Sequence, residues 1–322
     1  MYREFDRSRL RLLPLAQRVH DLNVGVVGEL RPPLAVCPGL AETGRALARA
    51  KAAGAARVLM MGAHVIRSGV QRYVIDLMEK GLVSCLSMNG ACVIHDFELA
   101  LIGATTESVA RYIAEGQFGL WLETGRINDI VSQAARENLG LGEAMGRAIS
   151  EGGLPHAGTS LLAAAHRLGV PALVHVGIGC DIVHEHPNCD GAAWGQTSYT
   201  DFLRLASELE RLEGGVVMNF GSAVTAPEVY LKALAMARNV ARAENRSLRD
   251  FTTLVCDLVD LPEDFRQEAP RGSAGYYFRP WKTMLVRTVA EGGHSHYVRG
   301  PHSETMPQLW AAATSAPAAQ PS

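Results

Sequence analysis

The sequence predicts an α/β fold with a mainly parallel sheet covered by helices on both faces. Two observations carry this. Apolar runs of strand length alternate with segments of helical period along most of the 322 residues, which is the pattern of repeated strand–helix units. The segment from Val58 to Glu98 also writes two strand-to-helix turns in succession and loads both with polar or small residues.

The first unit starts with the run Val58 to Met61, closed by Gly62. Val70, Val74, Leu77 and Met78 then fall at i, i+4, i+7 and i+8, the spacing of one helix face. Gly81 ends that helix, Leu82 to Met88 repeats the strand signal, and Asn89-Gly90-Ala91 opens a helix carrying Val93, Phe97 and Leu101. Further on, residues 105–116, 127–149 and 157–169 read as helices, and Pro171 starts the strand PALVHVGI. A helix over 200–212 leads through Gly214-Gly215 into the strand VVMNF, followed by a helix from about Pro227 to Val240. FTTLVCDL and TMLVRTV (283–289) read as the last two strands. No repeat, linker or heptad run interrupts the series, so residues 1–310 are expected to form a single domain. Residues 311–322, small and Pro-containing, are expected to be a disordered tail.

Composition narrows the function classes. The formal charge of −2 gives no broad basic surface for nucleic acid. The six cysteines at 37, 85, 92, 180, 189 and 256 form no CxxC pair, which points to a reducing cytoplasm. Nowhere do eighteen apolar residues run together, so no membrane partner is expected.

Polar residues recur where the strands end. In parallel sheets ligands bind beyond the carboxyl ends of strands. Gly62, Ala63, His64, Asn89 and Gly90 are expected there, with Gly179, Cys180, Asp181, His184, Glu185 and His186 after PALVHVGI. Asn219, Gly221 and Ser222 follow GGVV, and Asp257 and Asp260 follow FTTLVC. Small residues let a ligand approach the backbone, and helix N-termini offer free N–H groups to phosphate. His184 with His186, and His294 with His296, stand two apart, a spacing that can aim two imidazoles at one metal ion. No GxGxxG, Walker or GxSxG signature is present. Lys282 follows Trp281, and a lysine beside a large aromatic can be desolvated enough to form imines.

The stretches MGAHVIRSGV, MNGACVIHDFELA, PALVHVGIGCDIVHEHPNCDGAAWGQTSYTDF and RLEGGVVMNFGSA, with the final PWK, resemble the deoxyhypusine synthase family, especially its divergent bacterial relatives. The resemblance covers roughly residues 15–310. It implies a Rossmann-like NAD-binding domain in a homotetramer, with active sites at subunit interfaces. It also implies an NAD-dependent transferase moving an aminoalkyl group from a polyamine-like donor to an amine acceptor through a lysine imine. On that alignment Lys282 is the imine-forming residue beside Trp281, and His95 or His184 is the general base. Ala63, His64, Ser68, Asn89, Gly90, Ala91, Asp96, Asp181, Gly214 and Gly215 contact the cofactor. This chain carries His95 where the synthases have a glutamate, Asn219 where they have a histidine, and Tyr276 where an acidic residue precedes the lysine. The rival expectations are a metal-dependent hydrolase or lyase built on His184 and His186, and a non-catalytic nucleotide-binding subunit.

Overall fold

The structure, a computed structural model, describes residues 2–316. Its strands are β1 (Leu22–Asn23), β2 (Arg57–Met61), β3 (Cys85–Asn89), β4 (Ala104–Thr105), β5 (Ala172–His175), β6 (Val216–Phe220), β7 (Thr252–Asp257) and β8 (His294–Arg299). β1 and β4 pair as a two-residue antiparallel ribbon. The other six form one all-parallel sheet in the order β5-β3-β2-β6-β7-β8. In register, Met61 lies between Met88 and Phe220.

Parallel strands of this kind are buried on both faces, and the continuous apolar runs follow from that. Leu59, Met61, Leu86, Met88, Val174, Met218, Phe220 and Leu254 point into one core. Helices Pro38–Ala52, Gln71–Glu79, Gly90–Ile102, Leu141–Glu151, Leu161–Leu168 and His302–Ser315 cover that face. The alternate residues Val58, Met60, Leu173, Val217 and Val255 point into a second core, under Gly191–Leu209, Thr225–Ala243 and the helix Trp281–Arg287. Each fully buried Leu, Met or Phe contributes on the order of 2 kcal/mol by leaving water.

The expected α/β architecture, Rossmann-like with helices on both faces, is therefore present, with three local corrections. Residues 283–289 are not a strand. Trp281–Arg287 forms a π-helix, in which the Thr288 N–H and hydroxyl both donate to the Thr283 carbonyl. Trp281, Met284 and Leu285 face the sheet at i, i+3 and i+4, a helical spacing hidden in a short β-branched run. The outer strand is instead HSHYVR, β8. The expected helix over 127–149 is two helices, Arg126–Glu137 and Leu141–Glu151, parted at Asn138 in the left-handed region (φ 56°). The helix His302–Ser315 runs through residues 311–315 of the expected tail, because Leu309 and Ala313 pack into the core. Residues 317–322 of that tail lie outside the described residues. Among the described residues no helix is long and apolar enough to cross a membrane.

Candidate functional site

The strand order fixes where a ligand can enter. From β2 the chain winds outward through β3 to β5, and from β6 it winds the other way through β7 to β8. The helices leaving β2 and β6 cover opposite faces, so the winding reverses between these two neighbouring strands, the crevice position at which open α/β sheets receive ligands beyond their carboxyl ends. On one side the chain turns through Gly62 and Ala63 into the short helix His64–Arg67. On the other it turns through Gly221 and Ser222 toward the helix Thr225–Ala243.

The turns are built for close approach. The Gly62 N–H donates to the Phe220 carbonyl at 2.9 Å, and a methyl group on Gly62 would stand 2.4 Å from the Gly221 carbonyl oxygen. Gly221 has φ 66°, and a methyl group there would meet His302 Nε2 at 2.4 Å. Asn219 donates to the Ser222 carbonyl at 2.9 Å and accepts from its N–H at 3.2 Å, pinning the turn. His302 is buried at the first turn of its helix, with Nδ1 left without a partner, and burial lowers its pKa so that it stays neutral. Helices Gly90–Ile102, Thr225–Ala243 and His302–Ser315 all start at this edge, and their positive ends favour an anion.

Beside the crevice lies a cavity of about 270 Å³ against the helix Gly90–Ile102, lined by Arg18, Arg67, Ala91, His95, Glu98, Thr106, Cys180 and Asp181 among others. Its floor is a buried polar network. The Glu98 carboxylate, 1% exposed, receives both Arg18 guanidinium nitrogens at 2.9 and 2.6 Å and the hydroxyls of Thr105 and Thr124 at 2.7 Å each. His95 Nδ1 sits 2.8 Å from the same Thr105 hydroxyl, and burial lowers the His95 pKa to about 4. Asp181 lies against the start of the helix, where a methyl group on Gly90 would be 2.0 Å from Oδ2. Burial raises its pKa to about 6. Thr106, a β-branched residue, is held at φ 61° on the pocket wall. Backbone strain of this kind tends to persist at binding sites.

The expected site residues divide by position. Ala63, His64 and Ser68 lie in and after the β2 turn, and Asn89, Gly90 and Ala91 open the neighbouring helix, where Asn89 caps the Cys92 N–H. Asp181 and His95 border the cavity. The rest stand elsewhere. Asp96 is spent on the helix Leu161–Leu168, accepting from Ser160 Oγ at 2.5 Å and from the N–H groups of Leu161 and Leu162. Gly214 and Gly215 precede β6, at the amino edge of the sheet, where Gly215 packs on the Ala56 carbonyl. A five-residue strand, at about 3.3 Å per residue, separates them from the crevice by roughly 16 Å.

His184 Nδ1 accepts the N–H groups of Gly179 and Asp181, and its ring stands edge-on to Trp194 at 4.7 Å. It closes a loop. His186 is buried with Nε2 held 2.8 Å from the Gly119 carbonyl. Each imidazole of the expected metal pair thus holds a loop through one nitrogen and leaves the other, His184 Nε2 and His186 Nδ1, without a partner, and among the described residues no three His, Cys, Asp or Glu gather as metal ligands. Lys282 is buried in the π-helix with its ammonium 4.0 Å from the centre of the Tyr276 ring. Trp281 donates to the Phe265 carbonyl at 2.7 Å and packs into the second core. Arg18, Arg67, Glu98, Thr105 and His302 went unread in the sequence. Only the φ-demanding Gly221 and the run of small residues at 103–106 hinted at the turns they hold.

No protein-family model matches the chain, and no curated protein does. Among solved structures, unliganded AgrE matches with a TM-score of 0.51 at 16% identity, covering 85% of this chain and 32% of that one. AgrE is also solved in a ternary complex with ornithine and NAD+, matching with a TM-score of 0.48 at 15% identity over 85% of this chain and 32% of that one. ArgZ, an arginine dihydrolase from the ornithine-ammonia cycle in cyanobacteria, matches with a TM-score of 0.48 at 14% identity, covering 85% and 32%. A conserved protein from Methanococcus maripaludis S2 described as LOR/SDH matches with a TM-score of 0.49 at 13% identity, covering 88% and 73%. The chain spans about a third of the length of AgrE and ArgZ. At these identities the AgrE likeness speaks for the fold alone. The neighbours are not deoxyhypusine synthases, and the resemblance to that family is corrected, together with the polyamine donor and the aminoalkyl transfer it implied.

Proposed function

We propose that this chain is an NAD-dependent enzyme that holds the dinucleotide across the carboxyl edge of its sheet, between β2 and β6, and takes a small polar substrate in the adjoining cavity. The observation that carries the proposal is the reversal of strand order at Gly62 and Gly221, the place where sheets of this order receive dinucleotides. The residues present fit the group. Two glycine turns meet at this edge with no side chain between them, His302 has an orphaned nitrogen beside them, and helix starts at the same edge suit a pyrophosphate. Gly62, Ala63 and His64 would hold it from one side, and Gly221 and Ser222 from the other. When bound, NAD supplies hydride chemistry. The protein's own groups bind and orient the substrate: Arg67 offers a guanidinium to an acidic group, and Asp181 offers a carboxyl whose raised pKa lets it exchange a proton near neutral pH.

Calorimetric titration with NAD+ tests this. Saturable binding by the wild type, weakened at least about tenfold in Ala63→Glu with an unchanged circular dichroism spectrum, is expected. No binding by the wild type, or equal binding by the variant, would overturn it.

A further inference from the structure

We infer that His95 is the proton acceptor of the cavity and that Thr105 and Glu98 are positioning residues that fix its tautomer; this rests on reading the cavity as the substrate site.

Donors and acceptors around the ring fix its tautomer. An ionised carboxylate only accepts, and Glu98, paired with Arg18, takes the Thr105 hydroxyl proton at 2.7 Å. The Thr105 hydroxyl has a single proton, so its 2.8 Å contact with His95 Nδ1 requires that nitrogen to be the donor. A neutral imidazole protonated at Nδ1 carries its lone pair on Nε2. Among the described residues Nε2 of His95 has no hydrogen-bond partner, and the ring lines the cavity with Arg67 and Asp181. Thr106 reinforces the arrangement. Its strained backbone follows Thr105 directly, and its hydroxyl donates to the Thr105 carbonyl at 2.6 Å.

The charged groups facing His95 act in both directions. Burial, Arg67, Arg18 and His64 favour the neutral ring, and Glu98 favours the protonated one. The ring thus waits neutral and gains its proton with Glu98 behind it. The ligand this selects is a small molecule bearing an alcohol or amine, with an acidic group within reach of Arg67. Its O–H or N–H bond breaks, the electron pair stays on the heteroatom, and the proton forms a bond to Nε2. Nδ1–H remains on Thr105 throughout.

Ring-nitrogen NMR of 15N-histidine-labelled protein reads the tautomer, and acylation by diethyl pyrocarbonate, mapped by mass spectrometry, reads the Nε2 lone pair. The expected result is an Nδ1–H tautomer and Nε2 acylation of His95 in the wild type. Thr105→Val should lose the tautomer preference and slow acylation several-fold, and Thr105→Ser should keep both. An Nε2–H tautomer in the wild type, an unmodified His95, or a Thr105→Val variant indistinguishable from wild type would overturn the inference. NAD+ titration of the same samples reports separately on the cofactor site, and Thr105→Val should bind NAD+ as the wild type does.

Discussion

A methyl group on Gly62 would stand 2.4 Å from the carbonyl oxygen of Gly221. These two residues close the carboxyl ends of β2 and β6, and their turns pack directly on each other. Gly62→Ala forces the turns apart and should cost about 1–3 kcal/mol through overpacking. Gly221→Ala adds a strained φ of 66° and a clash with the imidazole of His302, so its cost should be at least as large. Urea denaturation measures both, and an unchanged midpoint for either would show that the turns are not tightly packed.

The ion pair between Arg18 and Glu98 is sealed, with both side chains 1% exposed. Arg18→Met leaves a buried carboxylate facing two hydroxyls and should destabilise the protein by about 3–5 kcal/mol. Replacing both, as Arg18→Met with Glu98→Leu, should recover a good part of that loss. Equal stability of the single and double variants in urea would mean the carboxylate is not held charged.

Buried carboxyls set the pH dependence of stability. Burial raises Asp201 to about 7 and Asp96 to about 6, above the ordinary value near 3.8. The folded state then binds protons more tightly than the unfolded chain between the two values. Stability from these groups is full below pH 4 and is lost as pH rises toward 7, by an amount on the order of a few kcal/mol. Asp201 also matters for the sheet edge, where its Oδ2 accepts the Val174 N–H of β5 at 2.8 Å. Asp201→Asn should flatten the pH–stability curve between 4 and 7 in denaturant titrations. A curve as steep as the wild type's would assign the effect elsewhere.

Cys180 is exposed on the cavity wall, while Cys85, Cys92, Cys189 and Cys256 are buried and burial pushes their thiols up. Thiol titration of the native protein with a chromogenic disulfide should show a fast phase that Cys180→Ser removes. A fast phase that survives the substitution would place the reactive thiol elsewhere.

How far the sequence showed all this differs by element. The strands at 57–61 and 216–220, the helix start at Asn89-Gly90 and the polar turns after them were legible, because continuous apolar runs ended by glycine have few other readings. Gly214-Gly215 was read correctly as the turn entering VVMNF, and only the resemblance attached a cofactor to that amino edge. TMLVRTV carried both a β-branched run and a helical spacing, and contact with the Thr253 hydroxyl, which donates to the Met284 carbonyl at 2.8 Å, belongs to the tertiary structure. Arg18 and Glu98 lie 80 residues apart, and nothing local pairs them. His95 could be seen as a departure from a carboxylate, but the hydroxyl that fixes its tautomer could not. The family resemblance went furthest astray in the reaction it implied, since the structural neighbours are not deoxyhypusine synthases.

The proposed dinucleotide site lies over the adjoining turns of Gly62 and Gly221. Diffraction from a crystal soaked in NAD+ tests it most directly. Pyrophosphate density is expected against the backbone of residues 62–64 and 221–222, at the carboxyl edge of β2 and β6. Dinucleotide density at the amino edge beside Gly214 and Gly215, or none at saturating NAD+, would contradict it.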